Sequence, residues 1–550
     1  MKKCKFLKLL NSLLYILMFL IIINNSLGYL DPDLGWHIKV GESIYQEQAV
    51  PHINHYNFVF SDNDNFWVDH EWLSNLLTYL IYDNFGYLSL TLFFALILFF
   101  TLLILNQFIF NKISSQPIFK TLLIILEIIL IKGILPSSGI RIQELSWLFF
   151  ILLLLIIYNF EDKVILKKKK PWLILGFLIP LFFLWTNSHG SFILGPVILF
   201  IYIIVKAGEI IIFKSNCKLK SFFDFSRTLE KQNILHLSLA LILSSAISLI
   251  NPYGLKLFDF LFIYSKNTAY LRIIAEWFSP FSFPLVPWNL IYLVIFLVVF
   301  IYFFIINKKK EELQFIRQPW NLALNLIFLI LFLKSKRHFP LFFIVSFPSL
   351  VTILWSGIKN IFSNIKFNHN GKIDIFLKIF IITSIIISGM AILLKTNFHH
   401  RDPFKSFCGK YPCYAVNFLQ KHHQKYLNKK LFNNYNWGGY LIHEYPEKQI
   451  FIDGRLPQKT LKNHSYIEEY LLFSSESEEI IKEKLDEYDI ELVLISKETK
   501  KRLNWLEQIL LFKNTKILVA KNNLKDFLNK DSNWILIYED QTSIIYEKIN

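Results

Sequence analysis

Charge is scarce in this chain: 18% of its 550 residues are Asp, Glu, Lys or Arg, against 54% hydrophobic and 17% aromatic. Soluble domains carry about a quarter charged residues, so an ordinary cytosolic enzyme is excluded. A disordered chain is excluded too, because such chains lack apolar mass. Cysteine is sparse, and four residues set no disulfide framework. Glycine and proline, 18 each, punctuate loops without building a low-complexity linker. No internal repeat, Walker loop, zinc motif or glycine-rich dinucleotide turn is present, which removes the enzyme classes those signatures define.

What is present is apolar sequence in runs of about 16 to 24 residues, long enough to cross a bilayer core of roughly 30 Å. Runs at 6–27, 87–110, 117–135, 141–158, 171–188, 191–207, 234–250, 286–306, 319–334, 339–357 and 373–395 predict about eleven membrane helices. The first follows Met-Lys-Lys-Cys-Lys; a signal peptide cut near Ser26-Leu27-Gly28 is the alternative, but the run is long for one.

The net charge of +16 would suggest nucleic acid in a soluble protein. Here 35 basic and 21 acidic residues precede residue 401, against 23 and 21 after it, so the excess reads as membrane-anchoring charge. With the N-terminus inside, Lys112, Lys120, Lys163, Lys167 to Lys170, Lys214, Lys218, Lys220, Lys308 to Lys310, Lys359, Lys366 and Lys372 all fall on one side. An odd number of spans then places the tail outside. The expectation is a mostly α, polytopic bundle over 1–395 in the cytoplasmic (inner) membrane, with a first outer loop at 28–86. An extracytoplasmic α/β domain follows over 396–550. In it, Leu431–Asn433, Gln449–Ile452, Ile490–Ile495, Trp534–Tyr538 and Ser543–Tyr546 read as strands, and Glu476–Tyr488 as helix.

Against so little charge, the polar clusters are informative. The first outer loop carries Asp31-Pro32-Asp33-Leu34-Gly35-Trp36-His37 and Trp67-Val68-Asp69-His70-Glu71-Trp72. Helical apolar spacing over Glu71–Tyr82 predicts a helix along the membrane surface. Further clusters close or open spans: Arg141-Ile142-Gln143, Trp185 to Gly190, Asn251-Pro252-Tyr253-Gly254, Glu276-Trp277 and Lys334 to His338. The threading puts all of them at the outer face. Bases there break the positive-inside trend and call for partners, either loop acids or an anion such as a lipid phosphate. A positioned carboxylate deprotonates an acceptor hydroxyl, Arg and Lys hold a departing phosphate, and Trp and Tyr give platforms for sugar rings. Glycosyl transfer from a lipid phosphate uses these parts, and phosphoryl hydrolysis would use a similar set.

In order and spacing these motifs, with Asn433 to Leu441 and Phe451-Ile452-Asp453-Gly454-Arg455 in the tail, resemble a bacterial branch of the GT-C glycosyltransferase superfamily. The resemblance implies inverting transfer from a polyprenyl-phosphate-linked sugar to a glycan, lipid or protein acceptor. It places the base at Asp33 or Asp31, with Glu71 as the second acid of the loop. Arg337, Lys336, His338, Arg141 and Gln143 are then expected at the donor phosphate, with Asn187 and His189 lining its pocket. Trp36, His37, His70, Glu276, Trp437, Tyr440, Asp453 and Arg455 are expected toward the acceptor. Gly35 departs from the branch, where a second Trp is common, as does Ile142, where Pro is common. No cofactor is firmly implied. Asp31-x-Asp33 invites a divalent metal, although two carboxylates are few for a dedicated site. Cys408 and Cys413 either bridge across 409–412 or remain two thiols. The rival readings are a lipid-sugar flippase or transporter, with Glu127 and Glu209 as its intramembrane acids, and a non-catalytic anchor presenting the tail.

Overall fold

The computed structural model describes residues 2–60, 65–214, 222–306, 313–364, 371–399, 403–461, 464–497, 500–511, 517–519 and 522–549. Lys218, Lys220, Lys308 to Lys310 and Lys366 of the topology argument lie outside the described residues.

Every apolar run contains helix, but the runs are not equal. Among the described residues, seven helices are long and apolar enough to cross a membrane: Phe6–Ser26, Trp72–Ile113, Pro171–Ser188, Gly190–Lys214, Pro287–Ile305, Lys336–Lys359 and Ile379–Thr396. The other four runs form Pro117–Leu130, Gln143–Ile165, Lys231–Ile247 and Pro319–Lys334. The first of these has 14 residues, about 21 Å at 1.5 Å per residue, so it falls short of the core thickness alone. Gln143–Ile165 is long enough but carries Glu144, Glu161, Asp162 and Lys163 near its ends.

The first helix, α1 (Lys2–Ser26), packs on the helices of the bundle and buries Met18 and Ile22 completely. Next comes the short α2 (Leu34–Glu47), then the 42-residue α3 (Trp72–Ile113). Gly86 interrupts α3 with φ +76°, a left-handed conformation that only glycine adopts without a Cβ penalty. The arm before it, Trp72–Phe85, is the helix expected along the surface, and the arm after it is the apolar span.

Opposite the acidic clusters, the far ends of three helices are tied by charge. Lys206 Nζ lies 2.5 Å from Glu161 Oε1 and 3.0 Å from Glu209 Oε2, and Arg227 Nε lies 2.8 Å from Glu161 Oε2. Arg227 and Lys112 both also pair with Asp162. Glu127 accepts a hydrogen bond from Asn106 Nδ2 at 2.5 Å. Both intramembrane acids of the transport alternative are thus tied to neighbours.

The C-terminal part is α/β. Leu431–Asn433, Leu492–Ser496, Ser543–Lys548 and Trp534–Glu539 form a mixed four-stranded sheet in that spatial order. The first pair is parallel and the others antiparallel, with Val493 opposite both Phe432 and Tyr546. The expected helix appears as Glu478–Glu487. Gln449–Ile452 is not a regular strand. Ile450 bridges singly to Leu431 on one side and to Asn57, in the loop between α2 and α3, on the other, while the Asn433 side chain accepts from the Phe451 and Ile452 amides. Cys408 and Cys413 are joined in a disulfide, their Cα atoms 5.2 Å apart.

Candidate functional site

The acid turn sits where α1 ends and α2 begins. Asp31 Oδ1 accepts from the Asp33 amide at 2.9 Å, and Asp31 Oδ2 lies 2.7 Å from Arg141 Nε. Asp33 Oδ1 accepts from Trp36 Nε1 at 3.0 Å, and its second oxygen has no hydrogen-bond partner among the described residues. Arg141 continues to Glu276 Oε1 at 2.5 Å and donates to the Tyr29 hydroxyl at 3.2 Å. Glu276 Oε2 in turn lies 3.7 Å from Arg337 Nη1, whose guanidinium covers the Trp277 ring at 4.8 Å. A charge chain therefore runs Asp31–Arg141–Glu276–Arg337, joining residues that are 306 apart in sequence at its two ends.

Burial pushes the Asp31 carboxyl up, against the pull of Arg141. Burial and then the Asp31 charge push Asp33 up to about 7, with the Trp36 hydrogen bond opposing. For Glu276 the balance reverses: burial would raise it, but Arg141 and Arg337 together hold it below the ordinary carboxylate range. One acid beside the chain is thus poised near neutrality while another stays ionised, the separation that general acid–base chemistry uses.

The second acidic stretch is held by a relay. Asn75 Nδ2 donates to both oxygens of Asp69, at 3.0 and 2.9 Å, which turns its own oxygen toward His37 Nδ1 at 2.6 Å. His37 therefore carries its proton on Nδ1, and burial lowers it to about 4, so it is neutral near pH 7. The Asp69 amide donates to the Tyr253 hydroxyl, which donates to the Pro51 carbonyl, so the Asn-Pro-Tyr-Gly turn fixes the loop from behind. Glu71 Oε1 lies 3.3 Å from His189 Nε2 and 3.6 Å from His70 Nε2. Burial pushes Glu71 up and His70 down.

The C-terminal part completes the wall. Arg455 pairs with Asp453, Nε to Oδ1 and Nη2 to Oδ2 both at 2.8 Å, and reaches Asn54 and Asn57 in the loop between α2 and α3 at 3.0 Å. Its guanidinium lies between the Tyr56 and Trp67 rings, 4.7 Å from each. The backbone approach is tight. A Cβ on Gly454 would stand 2.1 Å from Asp33 Oδ1, and one on Gly35 would stand 2.1 Å from the Gly439 carbonyl oxygen. The Gly35 departure thus has a structural reason: α2 touches the backbone of Gly438–Glu444, where a bulky side chain has no room.

Two adjoining chambers result. The polar one, about 130 Å³, is lined by Asp31, Asp33, Trp36, His37, Asp69 to Glu71, Arg141 to Gln143, Glu276, Gly454 and Arg455. The second, about 690 Å³, is walled by Trp147, Trp185, Leu194, Phe258 to Phe262, Tyr270, Trp277, His338 and Leu341. His70, Glu71, Gln143, His189, Tyr264 and Arg337 line both.

Five expected site residues fall outside both linings. Lys336 turns away, its ammonium donating to the Ser282 and Pro284 carbonyls at 3.1 and 2.7 Å. Asn187 accepts from Trp72 Nε1 and donates to the Phe183 and Ile250 carbonyls, so it ties helices together. Trp437 donates to the Lys410 carbonyl, and Tyr440 stacks 5.3 Å from Tyr411. Asp453 stands behind Arg455 as its counter-ion; Arg455 and Asn57 hold it low despite burial. The metal pair does line the polar chamber, but Asp31 gives its oxygens to Arg141 and to its own turn. Among the described residues no three His, Cys, Asp or Glu side chains converge to hold an ion. Asp69 lines the chamber although the sequence argument gives it no role; the signal for it is its place in Asp69-His70-Glu71, two residues ahead of the expected acid. The wall at Phe258 to Tyr264 is aromatic and apolar apart from Asp259, and its sequence carries no motif that marks it.

The bundle of long apolar helices and the α/β part packed on it define a multi-pass membrane protein, and its fold is similar to that of solved oligosaccharyltransferases. The archaeal oligosaccharyltransferase AglB from Archaeoglobus fulgidus, in complex with an inhibitory peptide and a dolichol-phosphate, matches with a TM-score of 0.52. The match covers 90% of this chain and 70% of AglB at 10% identity. The A. fulgidus oligosaccharyltransferase tethered to an acceptor peptide containing the NVT sequon gives 0.52 over 90% and 69%, again at 10% identity. At that identity the likeness shows the fold. No protein-family model and no curated protein matches the sequence significantly.

Proposed function

We propose that this chain transfers a sugar from a polyprenyl-phosphate donor to an acceptor hydroxyl or amide at the outer face of the cytoplasmic membrane. The observation that carries the reading is the shared wall: Arg337, Glu71 and His189 stand where a polar, acid-lined chamber meets a large apolar one. A lipid-linked sugar has that same division, a polar head joined through phosphate to an isoprenoid chain. The dolichol-phosphate and peptide held by AglB support the donor class and a protein acceptor, with glycan and lipid acceptors the other candidates. The basic runs at one end of the bundle support a cytoplasmic N-terminus and an external C-terminal α/β domain.

In the proposed step Asp33 takes the proton from the acceptor. The acceptor atom bonds to the anomeric carbon as the bond from that carbon to the phosphate oxygen breaks, inverting the configuration. The leaving electron pair stays on the phosphate, which Arg337 meets through charge-assisted hydrogen bonds. Asp31 is the poorer base because Arg141 already holds it. Asp31 instead keeps Arg141 and Glu276 aligned, and these orient Arg337. Neutral His37 and the Asp69 relay hold the loop rigid. The test is transfer from a radiolabelled polyprenyl-phosphate sugar by the purified protein in nanodiscs, for wild type, D33N and D31N. Loss of product in D33N with donor binding retained supports the assignment. Undiminished transfer in D33N overturns it.

A further inference from the structure

Outside the main sheet, Lys500–Arg502 pairs antiparallel with Ile517–Val519 in an excursion of the chain, and the short helix Trp505–Leu510 lies between the two strands in sequence. The helix is capped at both levels of its first turn: the Asn504 side chain accepts from the Leu506 and Glu507 amides, and Glu507 accepts from the Asn504 amide. Its amphipathicity is inverted. The face toward the protein presents Glu507, 1% exposed, while Trp505, Ile509 and Leu510 are 53, 60 and 53% exposed. A soluble domain would bury the Trp and Ile and show the carboxylate to water.

The height of this helix is set by two hydrogen bonds. Glu507 Oε1 accepts from the Leu285 amide, and Asn504 Nδ2 donates to the Leu285 carbonyl, each at 2.8 Å. Leu285 stands two residues before Pro287, where an apolar span begins. The excursion is therefore clasped to the mouth of a membrane helix. Phe281, four residues before Leu285 in the same loop, is 61% exposed, and Lys336 braces that loop through the Ser282 and Pro284 carbonyls. The sequence run Lys500-Lys501-Arg502 precedes the helix.

We propose that Trp505–Leu510, together with Phe281, is an interfacial membrane anchor, by which the C-terminal part rests on the lipid leaflet at the chamber end of the bundle. Trp and aliphatic side chains at headgroup level are stabilised by an apolar body below and a wet boundary above, and a basic run just before them in sequence favours anionic lipid. Large apolar groups exposed together on one short helix mark an interaction surface. Its hydrogen bonds to Leu285, two residues before a span, select lipid as the occupant. The inference rests on the membrane reading of the bundle and is independent of glycosyl transfer.

The test uses the full chain, with Cys4 and Cys217 replaced by Ser, in nanodiscs of phosphatidylcholine and phosphatidylglycerol. A nitroxide is attached at I509C or, as control, at K482C on the charged helix Glu478–Glu487. Accessibility to oxygen relative to a water-soluble nickel complex should be several-fold higher at 509 than at 482. Equal ratios overturn the anchor by placing 509 in water. Shielding from both reagents at 509 overturns it as well, because another protein surface then covers the face. A label-free measurement covers the case in which the nitroxide disturbs folding: quenching of tryptophan fluorescence by brominated lipid should fall in W505F relative to wild type. Unchanged quenching there overturns the proposal.

Discussion

Two clusters of charge, one at each end of the bundle, show how differently buried ions are used. At the end away from the chambers, Lys112, Lys206 and Arg227 face Glu161, Asp162 and Glu209, three of each sign in mutual contact. The Lys206, Glu161 and Glu209 side chains are no more than 2% exposed. At the other end five carboxylates line the polar chamber with three guanidiniums, so the acids are under-compensated, and Asp33 keeps one oxygen without a partner among the described residues. A closed network removes its own reasons to react. An open one leaves an acid near neutrality beside a cavity, the condition for moving a proton.

The comparison is broken most sharply by D33N, which should lower transfer by about 10²- to 10⁴-fold, the usual contribution of a general base, with the fold intact by circular dichroism. K206M attacks the other cluster. Leaving Glu161 and Glu209 buried without their shared cation should cost about 3–5 kcal/mol, read as a fall in Tm, while turnover per folded molecule is unchanged. G454A tests the wall between the halves. Its new methyl collides with Asp33 Oδ1; overpacking of this kind costs about 1–3 kcal/mol of stability, read as a fall in Tm, and the displaced Asp33 should also lower kcat with donor affinity preserved. The smallest effect concerns pH. Asp33 must be ionised to act, so kcat should fall as pH drops through about 7. Because its pKa is raised in the fold, the native chain binds this proton more tightly than the unfolded one, and Asp33 weakens the fold as pH rises across that window. D33N should therefore raise Tm at pH 8, with the gain vanishing near pH 4; a gain that persists at pH 4 contradicts the assignment.

Much of this arrangement is legible in the sequence. Apolar run length alone marks the positions of the bundle helices, because nothing but a helix satisfies twenty successive backbone groups in lipid. The gathering of Asp31, Glu71, Arg141, Glu276 and Arg337 follows from threading, since alternating spans put all of them at one end. Direction is not legible. Lys336 and Arg337 are adjacent on one short 3₁₀ turn, yet one braces a loop and the other lines both chambers. Asn187 and His189 diverge in the same way at a helix end. Spacing reports which face a residue is near, and only packing decides where a long side chain goes. The four runs outside the seven long apolar helices are ambiguous for a related reason: apolar length does not separate a helix that crosses alone from one that fits among neighbours.

The contact of Gly454 with Asp33 carries a consequence for how such a chain is inherited and re-engineered. Its two halves meet through bare backbone at Asp33, so neither owns a whole chamber. A chimera that exchanges the segment after residue 400 alone would join two half-moulds cast for different partners. The unit that must travel together is the pair of loops, 28–37 with 433–455, whatever the rest of the bundle becomes.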